Sequence, residues 1–196
     1  GGIACFLFPA SAKTLGLLTL ALVGLAVVGL GWQLLGHGVY HHAVGGWGAP
    51  LGIDLHADGL SLLMLAMTAL VGLGVSLYAT GYFKPADAVR FWPLWLLLLA
   101  ALNALFLSGD LFNLYVFYEL AAVASYGLIA GNRASASFVA AFRYLMISAL
   151  GSVVALLGIG LVYFKKNIDK NFITEYKLEN RYSEEAFEER MGVRLR

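Results

Sequence analysis

The chain holds one cysteine in 196 residues, Cys5. A single thiol makes no internal disulfide and no cysteine-rich metal site, so no redox framework exists, and Cys5 is read as a small apolar residue. Charge is scarce too. Asp, Glu, Lys and Arg make up 13% of the chain against 60% hydrophobic residues, with a mean hydropathy of +0.78 and a formal net charge of +1. That balance lies outside the range of soluble domains. A body facing lipid has no room for a basic groove, which sets nucleic-acid binding aside. The chain opens at Gly1 with neither an initiator methionine nor the basic stretch of a secretory signal, and its start is read as a truncation. There is no Ser/His/Asp set, phosphate-binding loop or dinucleotide fingerprint. Soluble-type catalysis is unsupported, and no cofactor is expected.

The charge that is present gathers at one end. Residues 165–196 hold eight of the 13 Lys and Arg and seven of the 12 Asp and Glu, leaving five of each sign in positions 1–164. In that first part, apolar stretches run over about 14–35, 59–83, 92–108, 111–131 and 138–164. A helix needs roughly 20 such residues to cross a bilayer. The fold expected is therefore all-α, a polytopic transmembrane helix bundle of about five complete spans. Residues 1–10 are read as the remnant of an earlier span, since as a helix they rise only about 15 Å. The third and fourth spans, parted by Gly109 and Asp110, are expected to form a tight hairpin.

Lysine and arginine fall in alternate connections, and short cytoplasmic loops are the ones that retain them. Lys13 precedes the first span, loop 36–57 has none, Lys84 and Arg90 lie in loop 84–91, and Arg133 and Arg143 flank loop 132–143. Loop 36–57 is thus predicted outside, and loops 84–91 and 132–143 cytoplasmic, in a bacterial inner membrane. Trp32, Tyr78, Tyr82, Phe91 and Trp92 are predicted to form interfacial belts. The tail 165–196 breaks the alternation and shifts in composition, so it is read as a charged soluble segment foreign to the body. The plainer alternative is a small solvated domain with one weak helix capped by Ser183.

Ser148, Gly151, Ser152, Ala155 and Gly158 fall on one side of the last span, a stripe suited to close helix packing. His37, His41, His42 and His56 share the loop region between the first two spans, but their spacing matches no closed metal pattern, and no metal site is expected. Asp54 and Asp58, like Asp110, read as turn or N-cap residues. The residue that stands apart is Glu119. It lies eight residues into its span, about 12 Å deep. An ionised carboxylate there costs at least several kcal/mol unless it is paired or neutralised, so it marks a functional site by default. Phe112, Tyr115, Ala122 and Tyr126 share its face, and Tyr115 and Tyr126 are candidates to hydrogen-bond it or to line a wet path.

The stretch Gly-Asp-Leu-Phe-Asn-Leu-Tyr-Val-Phe-Tyr-Glu (109–119), followed by Ala124-Ser125-Tyr126, resembles a signature of the antiporter-like membrane subunits. Mrp-type cation/proton antiporters, respiratory complex I and membrane-bound hydrogenases share that family. Residues 45–53 (GGWGAPLGI), 57–61 (ADGLS) and 143–145 (RYL) agree in order. The resemblance covers about residues 1–164, and the Asp-Leu-Phe-Asn-Leu wording is most similar to the D-type component of Mrp antiporters. It implies a proton-path role for Glu119, working with lysines on later helices that this chain lacks. It also implies other membrane subunits as partners and exchange of protons against Na+ or K+. Three readings result: a fragment of a proton-conducting antiporter subunit, a proton-pumping subunit of a complex I or hydrogenase-type redox complex, and a truncated scaffold that does not transport.

Overall fold

A computed structural model describes residues 1–46, 52–131 and 135–191. Among them six helices form, α1 (Gly2–Leu7), α2 (Ala12–His37), α3 (Gly59–Tyr82), α4 (Pro85–Phe106), α5 (Leu111–Ala130) and α6 (Ser135–Met191), with two short strands, β1 (Tyr40–Ala43) and β2 (Asp54–Ala57). Five helical stretches are long and apolar enough to cross a membrane: Pro9–His37, Gly59–Tyr82, Asp87–Phe106, Leu111–Ala130 and Ala136–Ile168. Helices dominate because hydrocarbon offers a backbone no hydrogen-bond partner, and a helix satisfies its own. Contacts divide the chain into one unit, Gly1–Ser152, and another, Val153–Arg196. In the second, residues 153–191 are helical, and Ser183 lies inside that helix instead of capping a new one.

Two connections differ from the sequence reading. Loop 84–91 shrinks to Phe83 and Lys84, because α4 starts at Pro85, whose fixed φ and missing N–H suit the first helical position. The third span is accordingly 20 residues long, not 17, within a helix of 22. Loop 132–143 is likewise short, since α6 begins at Ser135; Arg133 lies outside the described residues. Loop 36–57 contains an unexpected hairpin: β1 pairs antiparallel with β2, aligning Tyr40 with Ala57 and Ala43 with Asp54. Gly38, at φ 74°, ends α2 in a left-handed backbone that favours glycine.

Trp92 also moves. Expected in an interfacial belt, it is 1% exposed, because the earlier start of α4 carries it two turns inside the helix. It anchors a cluster with Cys5, Ala12, Leu20, Leu96 and Leu99 that joins α1, α2 and α4. Small residues make room for it, as interhelical packing in lipid requires. A Cβ added at Gly16 would run into the Trp92 ring. One turn further along α4, Trp95 packs against the same cluster and its Nε1 donates to the hydroxyl of fully buried Ser76 on α3 at 2.8 Å. Lys13 Nζ reaches the Thr80 carbonyl at 3.3 Å, placing a cation on the last turn of α3 where the helix dipole favours it. Thr19, Thr68 and Ser125 satisfy their hydroxyls on the carbonyls four residues earlier, at 2.7–2.9 Å.

Gly16→Ala is expected to destabilise the bundle by about 1–3 kcal/mol, the usual cost of overpacking a filled site. A lower thermal midpoint in detergent checks it, and an unchanged midpoint means that Trp92 has room to yield. The Ser61 amide donates to Asp58 Oδ1 at 2.8 Å and holds that exposed carboxyl below its usual value. A carboxyl lowered in the folded state stabilises fully above its unfolded value near pH ~4 and loses that contribution as pH falls through the lower folded one. Hydrogen exchange at the Ser61 amide should therefore lose protection on acidification, and Asp58→Ala should remove the pH dependence.

Candidate functional site

The entrance to α5 is built by the loop that joins α2 to α3. Asp110 caps the helix, its Oδ1 accepting from the Asn113 amide at 2.8 Å, and the Asn113 side chain donates to the other carboxylate oxygen. Asn113, buried at 8% exposure, also donates to the Gly52 carbonyl at 3.1 Å. Strand β2 then pairs with the α4–α5 turn through His56 N–H to Leu107 O at 2.8 Å and Gly109 N–H to Asp54 O at 2.7 Å. Glycine suits position 109, because a Cβ there would crowd Asp54 O at 3.0 Å. The caps assigned to Asp58 and Asp110 from sequence are thus both present, while Asp54 works through its backbone in β2.

From that entrance α5 carries Glu119 to a point about 12 Å from Leu111 and about 16 Å from Ala130 by the helix rise. Its Oε1 is buried with no hydrogen-bond partner among the described residues. Tyr115 is not its partner: the Tyr115 hydroxyl pairs with Ser152 Oγ on α6 at 2.8 Å. Tyr126 is half-buried on α5 with no hydrogen bond to Glu119. Of the small-residue stripe, Ser152 is buried at 6% exposure, whereas a Cβ added at Gly151 would meet open space.

One polar group escaped the sequence reading. Asn103 Oδ1 on α4 is the other buried side-chain oxygen without a partner among the described residues. Gly127 on α5 sits against Leu94 on α4, where an added Cβ would come within 3.0 Å of Leu94 Cδ2. Counted from that contact, Asn103 lies nine residues along α4 and Glu119 eight residues back along α5, each about 12–14 Å away. The two orphaned oxygens thus stand at one level of the hairpin. A buried acceptor left unmade costs about 1–3 kcal/mol, so two at one depth mark the hairpin as a polar position in an apolar body. The signal in the sequence was the lone Asn in the otherwise apolar run 91–107.

Two family models match the chain. The family described as "NADH:quinone oxidoreductase/Mrp antiporter, TM" covers residues 108–189, and "NADH-Ubiquinone oxidoreductase (complex I), chain 5 N-terminus" covers residues 47–91. The matches place residues 47–91 and 108–189 in the antiporter-like membrane-subunit family. Within this family it is 40% identical over 131 residues to the D component of a probable K(+)/H(+) antiporter of Rhizobium meliloti, covering 67% of this chain and 24% of that protein. It is 41% identical over 128 residues to the N component of the NADH-quinone oxidoreductase of Desulforudis audaxviator, covering 63% and 25%. A structure of the membrane-bound sulfane sulfur reductase, an archaeal respiratory membrane complex, superposes with a TM-score of 0.73 at 26% identity, covering 83% of this chain and 35% of the other. The chain spans about a quarter of the length of the curated relatives it matches. Like the family, it is a multi-pass membrane protein, and its relatives are subunits of larger membrane complexes. The first of the two family matches runs 25 residues past position 164, so the shift in composition at 165 does not mark its end.

Asp110→Ala is expected to cost about 1 kcal/mol through loss of the α5 cap, and Asp110→Asn much less, since asparagine caps equally well. Amide exchange at Asn113 and Leu114 separates the two variants. Equal protection in both would show that the clasp of β2, not the cap, holds the helix start.

Proposed function

We propose that this chain is part of a proton-conducting subunit of a multisubunit monovalent cation/proton antiporter, with Glu119 as a proton-path residue. The observation that carries the reading is the buried, unpartnered Glu119 oxygen midway along an apolar span. A carboxyl at that depth persists where it exchanges protons or meets a mobile partner, and an acid whose partner comes and goes loads and releases a proton. Asn103, at the same level, gives a water-borne proton a second polar stop, and the Tyr115–Ser152 pair lies one helical turn from Glu119 on the same face. The K(+)/H(+) antiporter naming of the Rhizobium meliloti relative supports the transport reading with K+ as the exchanged ion, and the Na(+)/H(+) antiporter naming of a Bacillus subtilis relative supports Na+. Other membrane subunits complete the assembly. The distribution of Lys13, Lys84, Arg90, Arg133 and Arg143 supports a bacterial inner membrane with the hairpin side outside.

A second reading, a proton-pumping subunit of a redox complex, is favoured by the 41% identity to an NADH-quinone oxidoreductase component. Co-purification separates the two: flavin or iron–sulfur subunits accompany the chain in the second and are absent in the first. For Glu119 itself, vesicles carrying the assembled complex should lose at least about tenfold of their cation-driven proton flux on Glu119→Gln, as expected for removal of a proton-transfer group. Flux equal to that of the parent would assign the chain a scaffold role and end the proton-path reading.

A further inference from the structure

The β1–β2 register sets His41 opposite His56, fifteen residues away in sequence. The two rings meet edge to face with centroids 4.3 Å apart. His56 Nδ1 lies 3.1 Å from His41 Nε2 and 3.2 Å from His41 Nδ1. On its other side, His56 Nε2 stands 3.8 Å from the Asp58 carboxylate. His42 points to the opposite face of β1 and stacks on Tyr40 with centroids 6.3 Å apart, so it takes no part.

We propose that His41 and His56 form a two-histidine site for a divalent transition-metal cation of the zinc, nickel or copper type. Two imidazole nitrogens bound to a tetrahedral zinc, at about 2.0–2.1 Å each, stand about 3.3–3.4 Å apart. The observed separation is within a few tenths of an ångström of that value. His41 is exposed, and its two nitrogens are almost equidistant from His56, so a turn of the ring about Cβ–Cγ presents one of them alone. Asp58 stands on the far side of His56, its carboxylate 3.8 Å from Nε2, so its negative charge favours the proton on Nε2 and leaves Nδ1 for the ion. Imidazole suits this group of metals, whereas the oxygen-rich shells of Ca²⁺ and Mg²⁺ have no counterpart here. Among the described residues no group of three or more His, Cys, Asp or Glu converges on a metal position, so water completes the shell. The site is therefore open and exchangeable. Because the ion bridges β1 to β2, and β2 holds the α4–α5 turn, occupancy fastens the clasp from the solvent side. The assignment rests on the hairpin alone and does not depend on the role of Glu119.

Zn²⁺ titration of the purified full chain in detergent, followed by calorimetry, tests it, with Cu²⁺ as an electron-spin-resonance probe of nitrogen ligation. The expected result is one ion per chain and a two-nitrogen signal. His41→Ala and His56→Gln should each weaken binding by at least about tenfold, as changes in metal ligation do. Asp58→Asn, which keeps the helix cap, should weaken it by a smaller factor. The His41→Ala/His56→Gln pair should bind no more weakly than either single variant, because one ion needs both ligands. Parent-like affinity in both single variants overturns the proposal, and so does loss of binding in His42→Ala or His37→Ala.

Discussion

Two backbone hydrogen bonds fix the height at which Glu119, half-buried, sits along the hairpin. His56 N–H to Leu107 O and Gly109 N–H to Asp54 O join a strand from one inter-helix connection to the turn of another. A turn at the edge of a bilayer exposes carbonyl and amide groups that no longer have helical partners, and each must be met by protein or water. Here protein meets them. The partner strand is short, so it fixes the turn without offering a long edge. With the turn fixed and Asp110 closing the first amides, α5 enters at a set height, and every residue on it, Glu119 included, acquires a set depth. The depth of Glu119 is thus inherited from loop geometry, through residues 52–57 and 107–113.

The spans were legible because lipid imposes one rule on every residue of a crossing helix: it must be apolar for about 20 positions or have a reason not to be. That rule exposed Glu119 immediately. It misjudged α4, since Asp87 and Arg90 look like loop residues when read by hydropathy, although Pro85 begins the helix before them. The same error placed Trp92 at the interface when it fills the core. Asn103 was passed over because a neutral amide attracts less notice than a charge, though its buried oxygen is as unpartnered as that of Glu119.

The contacts between distant positions were not legible. Tyr115 shares a helix face with Glu119, so a bond between them was a fair expectation from spacing, but spacing within one helix cannot foresee that Ser152 approaches from another. The meeting of His41 and His56 is of the same kind. It depends on the β1–β2 register and on the docking of β2 on residues 107–109, neither of which a period of 3.6 or a ligand-spacing rule reports.

The packing of α1 and α2 against Trp92 bears on the order in which the bundle is made. A ribosome completes α1 and α2 about fifty-five residues before Trp92 exists, so the surface of α2 that will receive the indole spends that interval against lipid acyl chains. Ala12, Gly16 and Leu20 line it, and small apolar side chains tolerate lipid at little cost. Insertion and assembly are therefore separable: α2 can rest as an independent span and then be drawn laterally against α4 when it arrives, with the tryptophan seating into that face.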